Sequence, residues 1–155
     1  MRQAGPEDEP LLFALFFEVK AVDLAATGLA EAQFLPLIEM QYRGREMTYE
    51  VQYPKAESLI LIGEDGKPAG RLLLDRGLDR WRVVDITVLA SHRRSGIGTR
   101  VLTQCQEQCS KAGVRLELQV SAGSPALRLY ERLGFQMTHG DGISVEMVWS
   151  PSQMR

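Results

Sequence analysis

Apolar residues recur at helical spacing through the first third of the chain. Pro6 and the acidic residues that follow it predict a helix start, because proline suits the first turn and acids stabilise the positive end of the helix dipole. Apolar positions from Leu12 to Val22 then recur every three or four residues, which is typical of an amphipathic helix. A second helix is predicted over 29–40, with a kink or break at Pro36. The polar residues 43–54, interrupted by aromatic residues, fit either a helix or a loop.

The pattern changes from helical spacing to strands in the middle of the chain. Residues 59–62 and 69–74 predict two strands, and Asp65-Gly66 between them favours a tight hairpin turn. The remaining elements follow in order: a strand over 81–88, a helix over 99–112, a strand over 114–120, a helix over 125–133, and a hairpin of residues 135–137 and 143–149 around a turn at 139–142. These elements predict an α+β fold, a mixed, mostly antiparallel sheet flanked by helices on both faces. Only residues 1–4 precede the first helix, so a first strand is missing or vestigial.

Length and charge narrow the class of protein. A chain of 155 residues has room for a single domain, and we assign 1–155 to it. A net charge of −2 argues against a nucleic-acid partner, which usually selects a basic surface. The longest apolar run, Leu11 to Phe17, is far short of the about 20 residues of a membrane span, and the acidic residues before it argue against a signal peptide. These features predict a cytoplasmic protein with no membrane partner.

Cysteine and histidine residues give no independent sign of catalysis. Cys105 and Cys109 lie on the apolar stripe of a predicted helix, which favours buried thiols over a zinc site, a disulfide or a catalytic nucleophile. His92 is expected in a solvated loop and His139 in a surface turn. We therefore predict no metal site.

The segment from Val88 to Thr99 predicts a strand that runs through a glycine-bearing loop straight into a helix. The first amides of a helix have no intrahelical partner, and the helix dipole makes that end positive. Gly96 and Gly98 lack side chains, so the backbone can approach an anion closely, and Arg93 and Arg94 add positive charge. The segment therefore fits a pyrophosphate site. It lacks the third glycine of a dinucleotide fingerprint and the Gly-Lys-Ser/Thr of a Walker loop, and by itself it also fits a plain strand-to-helix turn.

Two motifs resemble the signatures of one enzyme superfamily. The pattern Arg93-x-x-Gly96-x-Gly98 matches the Arg/Gln-x-x-Gly-x-Gly/Ala signature of acetyl-CoA-dependent N-acetyltransferases. The segment Ser124–Phe135 is similar to the second signature, Asn-x-x-Ala-x-x-Leu-Tyr-x-x-x-Gly-Phe. The motifs occur in the expected order, joined by one helix and one strand, so the chain resembles the GNAT superfamily over residues 80–149. The resemblance implies a GNAT fold with a splayed pair of central strands, a helical acceptor-side part at 1–57 and an acetyl-CoA-binding core at 80–149.

The resemblance also implies how acetyl-CoA, the cosubstrate, is bound. The strands that end at Val88 and Val120 would separate, and the pantetheine arm would pair with the backbone of the first one. Amides of the glycine-bearing loop would hold the pyrophosphate. The implied cofactor-binding residues are Ile86, Thr87, Val88, Arg93, Arg94, Ser95, Gly96, Ile97, Gly98, Thr99, Ser124, Leu127 and Tyr130.

Amide formation from a thioester needs a deprotonated amine, a stabilised oxyanion and a protonated leaving group. An alkylamine has a pKa of about 10.4 and must lose a proton before it attacks. A thiolate, with a thiol pKa of about 8.5, leaves more easily when an acid protonates it. Tyr130 matches the tyrosine that usually has this last role in the superfamily, although packing against the sheet would also explain an aromatic residue there.

The general base is less clearly marked. Many superfamily members carry a glutamate five residues before the motif asparagine, where this chain has Gln119. Asp85, on the preceding strand, is the nearest acidic alternative. A structural role for Asp85, bonded to neighbouring backbone or to an arginine such as Arg82, also fits the sequence. The amine would then lose its proton through ordered water.

Two departures from the motif pattern leave alternatives to catalysis open. Gln119 cannot serve usefully as a base, and Ser124 replaces the motif asparagine, although serine can still cap a helix. We therefore predict an N-acetyltransferase that acts on a small-molecule or peptide amine in a ternary complex, with a non-catalytic acyl-CoA-binding or sensing module as the alternative. A generic nucleotide-binding domain is a further alternative. Phe34 and Tyr42 are candidates for the acceptor site, and a homodimer is left open.

Overall fold

Seven strands and four α-helices make up the described part of the chain, residues 1–151 of a computed structural model. The strands are β1 (Arg2–Gln3), β2 (Glu57–Ile62), β3 (Pro68–Arg76), β4 (Arg80–Val88), β5 (Arg115–Ser121), β6 (Gln136–Gly140) and β7 (Ser144–Trp149). The helices are α1 (Glu9–Ala25), α2 (Glu31–Gln52), α3 (Ile97–Ala112) and α4 (Ala126–Arg132). Within residues 1–151, no helix has the length and apolar character needed to cross a membrane.

The strands form one sheet in the order β1-β2-β3-β4-β5-β7-β6. Each neighbouring pair of these strands is antiparallel except β4 and β5, which run parallel at the centre. Helix α3 forms the crossover that a parallel pair requires. This arrangement confirms the predicted fold class.

Each face of the sheet carries its own layer of helices and its own core. The larger core joins Leu72 and Leu116 of the sheet to α3 and α4. The smaller core joins Ile60, on the other face of the sheet, to α1 and α2. Successive side chains of a strand point to opposite faces, so the alternation of apolar and polar residues in β5 is explained by one buried face.

Helix α2 is longer than the sequence predicts. It runs from Glu31 to Gln52, so the predicted end near Met40 was wrong. Pro36 lacks the N–H group that would bond to a carbonyl one turn earlier, but tertiary packing offsets this loss. Ile38 and Tyr42, on the next turns, are 0% and 5% exposed in the smaller core.

One edge of the sheet agrees with the expectation of a missing or vestigial first strand, whereas the other edge differs from the prediction. Strand β1 is present but only two residues long, and it pairs with β2. The Arg2 guanidinium donates to both carboxylate oxygens of Asp8 at 2.8 Å, which fastens β1 to the start of α1. At the other edge, His139 and Gly140 belong to β6. Their predicted position in the final turn was therefore wrong.

The sheet opens at its centre because β4 is irregular and separates from β5. The register between β3 and β4 shifts next to Val84, so Val83 and Ile86 pack on the same core although they lie three positions apart. Pairing of β4 with β5 covers only Arg80 to Val83. Beyond Val83, β4 stays paired with β3 and β5 stays paired with β7, so β4 and β5 part toward their carboxyl ends. This is the splayed central pair that was predicted.

Candidate functional site

A cleft of about 360 Å³ opens where β4 and β5 part. The end of β4, the loop after it, the first turns of α3 and one side of α4 surround this cleft. Its lining residues are Ile86, Val88, His92, Arg93, Arg94, Gly96, Ile97, Gly98, Thr99, Leu102, Ala126, Leu129, Tyr130 and Arg132. Most of the residues that the sequence assigned to acetyl-CoA therefore lie around one opening.

The backbone N–H groups from Arg94 to Thr99 find no hydrogen-bond acceptor among residues 1–151. The first bond of α3 runs from the Arg100 N–H to the Gly96 carbonyl oxygen at 3.0 Å, and no side chain caps the helix. Arg94 and Gly96 have left-handed φ angles of 65° and 82°, and successive amides in such turns form anion-binding concavities. Free donors at the positive end of a 16-residue helix suit a diphosphate.

Positive side chains border the same amides. Arg93, Arg94 and Arg132 all line the cleft. The Arg93 Nε–H donates to the Val88 carbonyl oxygen at 3.2 Å, which holds the loop against the end of β4. These guanidinium groups add charge to the backbone donors, and arginine matches phosphate oxygens well in geometry.

His92 ties the turn between β2 and β3 to this loop. Its Nε2 lies 3.0 Å from Asp65 Oδ2, and its Nδ1 lies 3.0 Å from Ser91 Oγ. The Ser95 hydroxyl donates to the His92 carbonyl oxygen, so Ser95 supports the loop with its side chain. The ring of His92 lines the cleft and is 18% exposed. The expectation of a solvated histidine was wrong, because the partner Asp65 is distant in sequence.

The strand edges that face the cleft are free of a strand partner in the described chain. Residues 85–88 of β4 pair only with β3, and residues 119–121 of β5 pair only with β7. An extended ligand with amide groups can hydrogen-bond to such an edge as an added strand does. Ile86 and Val88 line this side of the cleft, so the ligand would meet an apolar wall.

Tyr130 lines the cleft from α4 and is 7% exposed. Its ring packs edge-on against Phe135, with the ring centroids 5.8 Å apart. Within residues 1–151 no hydrogen bond engages its hydroxyl, so the O–H group is available to a ligand. Burial and then the negative charge of Asp85 raise the pKa of Tyr130 above its ordinary value. The hydroxyl is therefore protonated at neutral pH.

Asp85 points to the opposite face of β4, toward α2. Its carboxylate lies 3.8 Å from the Arg71 Nε and accepts a hydrogen bond from Thr87 Oγ1 at 3.1 Å. Arg71 on β3 is 2% exposed and donates to both carboxylate oxygens of Glu46 at 2.6 and 3.1 Å. The arginine beside Asp85 is thus Arg71, and the suggestion of Arg82 was wrong. Arg71 was missed because its partners lie far away in the sequence.

Arg82 belongs to a separate ion-pair network on β4, β5 and β7. Its guanidinium donates to Glu146 and, at 3.1 Å, to Glu117. The hydrogen bond with Glu146 is the main reason that the pKa of Arg82 is raised. Gln119 pairs with Glu146 in the strand register and follows Glu117 by two positions. Both carboxylates next to Gln119 are therefore hydrogen-bonded to one arginine, whereas Asp85 lies 3.8 Å from Arg71 without a hydrogen bond to it.

A second cavity, of about 460 Å³, lies on the α1/α2 side of the sheet. Helix α2 lines it with Glu46 and Tyr49, Tyr53 follows at the end of that helix, and the sheet lines it with Ser58 and Arg71. Ser58 Oγ and Arg71 Nε are buried there without a hydrogen-bond partner in the described chain. Buried polar atoms normally find a partner, so both mark positions where a ligand or water can bind.

The sequence-based candidates for the acceptor site lie outside this cavity. Phe34 and Tyr42 are each 5% exposed and pack in the smaller core. The Tyr42 hydroxyl donates to a carboxylate oxygen of Glu9 at 2.7 Å. Their helical spacing is therefore explained by packing of α2 against α1.

Two of the predicted cofactor contacts around α4, Ser124 and Leu127, are not among the residues that line this cleft. Ser124 Oγ accepts a hydrogen bond from the Ala126 N–H at 3.2 Å, as a capping residue does. Leu127 packs against the larger core, whereas Leu129 and Arg132 line the cleft. A seven-residue helix has too few positions for its phase to be predicted from the sequence.

The two cysteines are buried in the larger core, as predicted. Burial raises the pKa of Cys105 to about 11 and that of Cys109 to about 12. Since the thiolate is the nucleophilic form, neither thiol is reactive near neutral pH.

Comparison with known proteins gives one family and many similar folds. The model of the acetyltransferase (GNAT) family matches residues 28–135. No curated protein matches the sequence. An acetyltransferase from Thermus thermophilus has a TM-score of 0.68 at 23% identity, covering 96% of this chain and 94% of that one.

Two further solved structures carry more specific names. The PaiA N-acetyltransferase from Thermoplasma acidophilum, in complex with coenzyme A, has a TM-score of 0.67 at 18% identity and covers 96% of each chain. The ribosomal-protein-S18-alanine N-acetyltransferase from Escherichia coli has a TM-score of 0.51 at 28% identity, covering 56% of this chain and 64% of that one.

Proposed function

Because the chain belongs to the acetyltransferase (GNAT) family, we propose that it transfers the acetyl group of acetyl-CoA to a primary amine. The observation that carries the proposal is the row of free amides from Arg94 to Thr99, beside a cleft between two parted strands. Such donors attract the diphosphate of coenzyme A. A solved structure with the same fold contains coenzyme A, which supports the same donor here.

The donor binds in an extended form along the cleft. Its diphosphate accepts hydrogen bonds from the loop amides and meets the guanidinium groups of Arg94 and Arg132. Its pantetheine arm follows the free edge of β4 and bonds to the backbone of residues 86–88. The thioester then lies beside Tyr130, whose hydroxyl has no hydrogen-bond partner within residues 1–151.

The acetyl group moves by direct attack in a ternary complex. The amine nitrogen attacks the thioester carbonyl carbon, and a backbone N–H of β4 stabilises the resulting oxyanion. The carbon–sulfur bond breaks as the amide forms, and the leaving sulfur takes the proton of the Tyr130 hydroxyl. The protonated amine gives one proton through water to Asp85 before it attacks, and its second proton passes to the Tyr130 oxygen as the amide forms. Tyr130 is thereby restored, and Asp85 releases its proton to solvent.

The acceptor enters from the α1/α2 side, through the cavity beside Arg71. The carboxylates of Glu9, Glu46 and Glu50 line this cavity with one guanidinium group, that of Arg71, and Glu46 is paired with both Arg71 and Arg45. Burial and the neighbouring Asp85 raise the pKa of Tyr49, and its neutral ring already contacts the guanidinium groups of Arg45 and Arg71. This chemistry favours an amine that arrives protonated.

The proposal is tested by incubating the protein with acetyl-CoA and a panel of primary amines. Release of free thiol and a gain of one acetyl group in an amine, detected by mass spectrometry, are the expected results. Saturable binding of acetyl-CoA without turnover on any amine would instead favour the acyl-CoA-binding or sensing module, to which Gln119 points.

The role of Tyr130 is tested separately with Y130F. Loss of the acid is expected to lower kcat by about 10²-fold, the lower end for general acid catalysis. The Kd for coenzyme A is expected to remain unchanged. The matched control is Y42F, which removes a hydroxyl outside the cleft and is expected to keep the wild-type kcat. Full turnover of Y130F with a good acceptor would disprove the acid role.

A further inference from the structure

The outward face of α2 is apolar, although its inward face already packs in the core. On the inward face, Ile38 and Tyr42 are 0% and 5% exposed. On the opposite side, Leu37, Met40, Met47 and Val51 are 41%, 69%, 65% and 80% exposed. We call these four residues and Gly44 the α2 seam. A helix that is apolar on two opposite sides is normally covered on both.

The α2 seam has the spacing of a helix–helix interface. Its residues follow one another at steps of three, four, three and four, which is the heptad spacing of paired helices. Two shallow hollows of about 440 and 380 Å³ lie along it, and both are bordered by Gly44 and Met47. Paired helices insert side chains of one helix into hollows of this kind on the other.

Gly44, at the centre of the seam, is not explained by packing within the chain. No atom lies within 4 Å of the point that a Cβ would occupy, and φ is not left-handed. Glycine in a helix interior costs about 1 kcal/mol relative to alanine. Its compensating advantage is that a second backbone can approach closely.

Charges beside the seam complement one another across a two-fold axis. Arg43 and Glu50 lie on the same side of it, and neither has an ion-pair partner within residues 1–151. Consider an antiparallel pair in which Met40 faces Val51 of a second copy. Arg43 then faces Glu50 of that copy, and the two-fold axis repeats the contact. A parallel pair would bring Arg43 to the uncharged Thr48 instead.

We propose that the α2 seam is the interface of an antiparallel homodimer. The residues favour a second copy of this chain as the partner, because Arg43 at one end of the seam lies opposite Glu50 of the other copy. The seam lies on the α1/α2 side of the sheet, and the donor cleft lies on the α3/α4 side. Dimerisation therefore leaves the donor cleft open, and Glu50, which also lines the cavity beside Arg71, places the dimer contact next to the proposed acceptor entrance.

The first test is the mass of the whole protein by sedimentation equilibrium, from micromolar to millimolar concentration. We expect twice the 17.3 kDa of one chain. M47K buries a charge in the seam and is expected to give a monomer. The control L78K changes an apolar residue that is 98% exposed elsewhere, and its mass is expected to match the wild type. A monomeric wild type, or an M47K variant that dimerises as well as the wild type, would overturn the proposal.

The second test swaps the charges that flank the seam. R43E replaces two attractive contacts by two repulsive ones, and we expect the dimer to dissociate with a Kd roughly tenfold higher. The double variant R43E/E50R restores opposite charges in the antiparallel arrangement and is expected to recover the wild-type Kd. Thermal unfolding verifies that each variant folds. A double variant that stays as weak as R43E would exclude the antiparallel register.

Discussion

Gly98 is the position where one methyl group should separate donor binding from folding. A Cβ at Gly98 would lie 3.8 Å from the Leu129 Cδ2, an ordinary van der Waals distance, and the backbone there is not left-handed. Both residues line the cleft. The fold therefore accepts G98A, but the methyl group projects into the space beside the amides that we assign to the diphosphate.

The two expected effects of G98A have opposite signs. Alanine is favoured over glycine in helices by up to about 1 kcal/mol, so the free energy of unfolding should stay the same or rise slightly. A hydrogen bond to a charged group contributes about 1.5–3 kcal/mol, and displacement of the diphosphate from one amide would cost that much. The Kd for coenzyme A should then rise by about 10- to 150-fold.

Calorimetric titration with coenzyme A and thermal unfolding measure these two effects on the same sample. G44A is the matched control, because it also adds a methyl group to a helical glycine with open space around it. It lies on α2, away from the cleft, and should leave the Kd for coenzyme A unchanged; because Gly44 also lies in the α2 seam, G44A is a control for this Kd and not for stability. A folded G98A variant that binds coenzyme A as tightly as the wild type would refute the assignment of the amides.

Three further predictions concern stability and reactivity. The Arg2 guanidinium holds the pKa of Asp8 at about 2. The ionised carboxylate therefore stabilises the fold fully at pH values above the ordinary pKa of aspartate, and this contribution is lost as the pH falls through about 2. Chemical unfolding of D8N should show a stability deficit at pH 7 that disappears in acid. R71M should lower the free energy of unfolding by about 2 kcal/mol in urea titrations, since the partly buried carboxylates of Glu46 and Asp85 lose their shared guanidinium group, and a variant as stable as the wild type would contradict a structural ion pair. Alkylation of Cys105 and Cys109 should be slow in native protein and fast after unfolding, and rapid native labelling would contradict their burial.

Local patterns predicted the elements around the cleft between β4 and β5 well. Gly96 and Gly98 mark the start of α3 because the chain has to turn and leave its amides uncovered there, and that requirement is visible in a few adjacent residues. The alternation in β5 and the position of Tyr130 were equally local features.

Features that depend on distant partners could not be predicted. Strand β1 forms because β2, more than fifty residues later, offers its edge. Helix α2 continues through Pro36 because α1 covers its inward face, which outweighs a local proline penalty. The local sequence gives no sign that Arg71 is special, because its partner Glu46 lies on another element, helix α2. These contacts join residues that are remote in sequence, so no local sequence pattern predicts them.

Titration of the folded protein with acetyl-CoA in a calorimeter tests the central claim most directly. We predict saturable binding at one site per chain, full competition by coenzyme A, and much weaker binding of NAD, whose diphosphate carries no pantetheine arm for the free edge of β4. A folded protein that gives no saturable heat with acetyl-CoA, or that binds NAD equally well, would contradict the account.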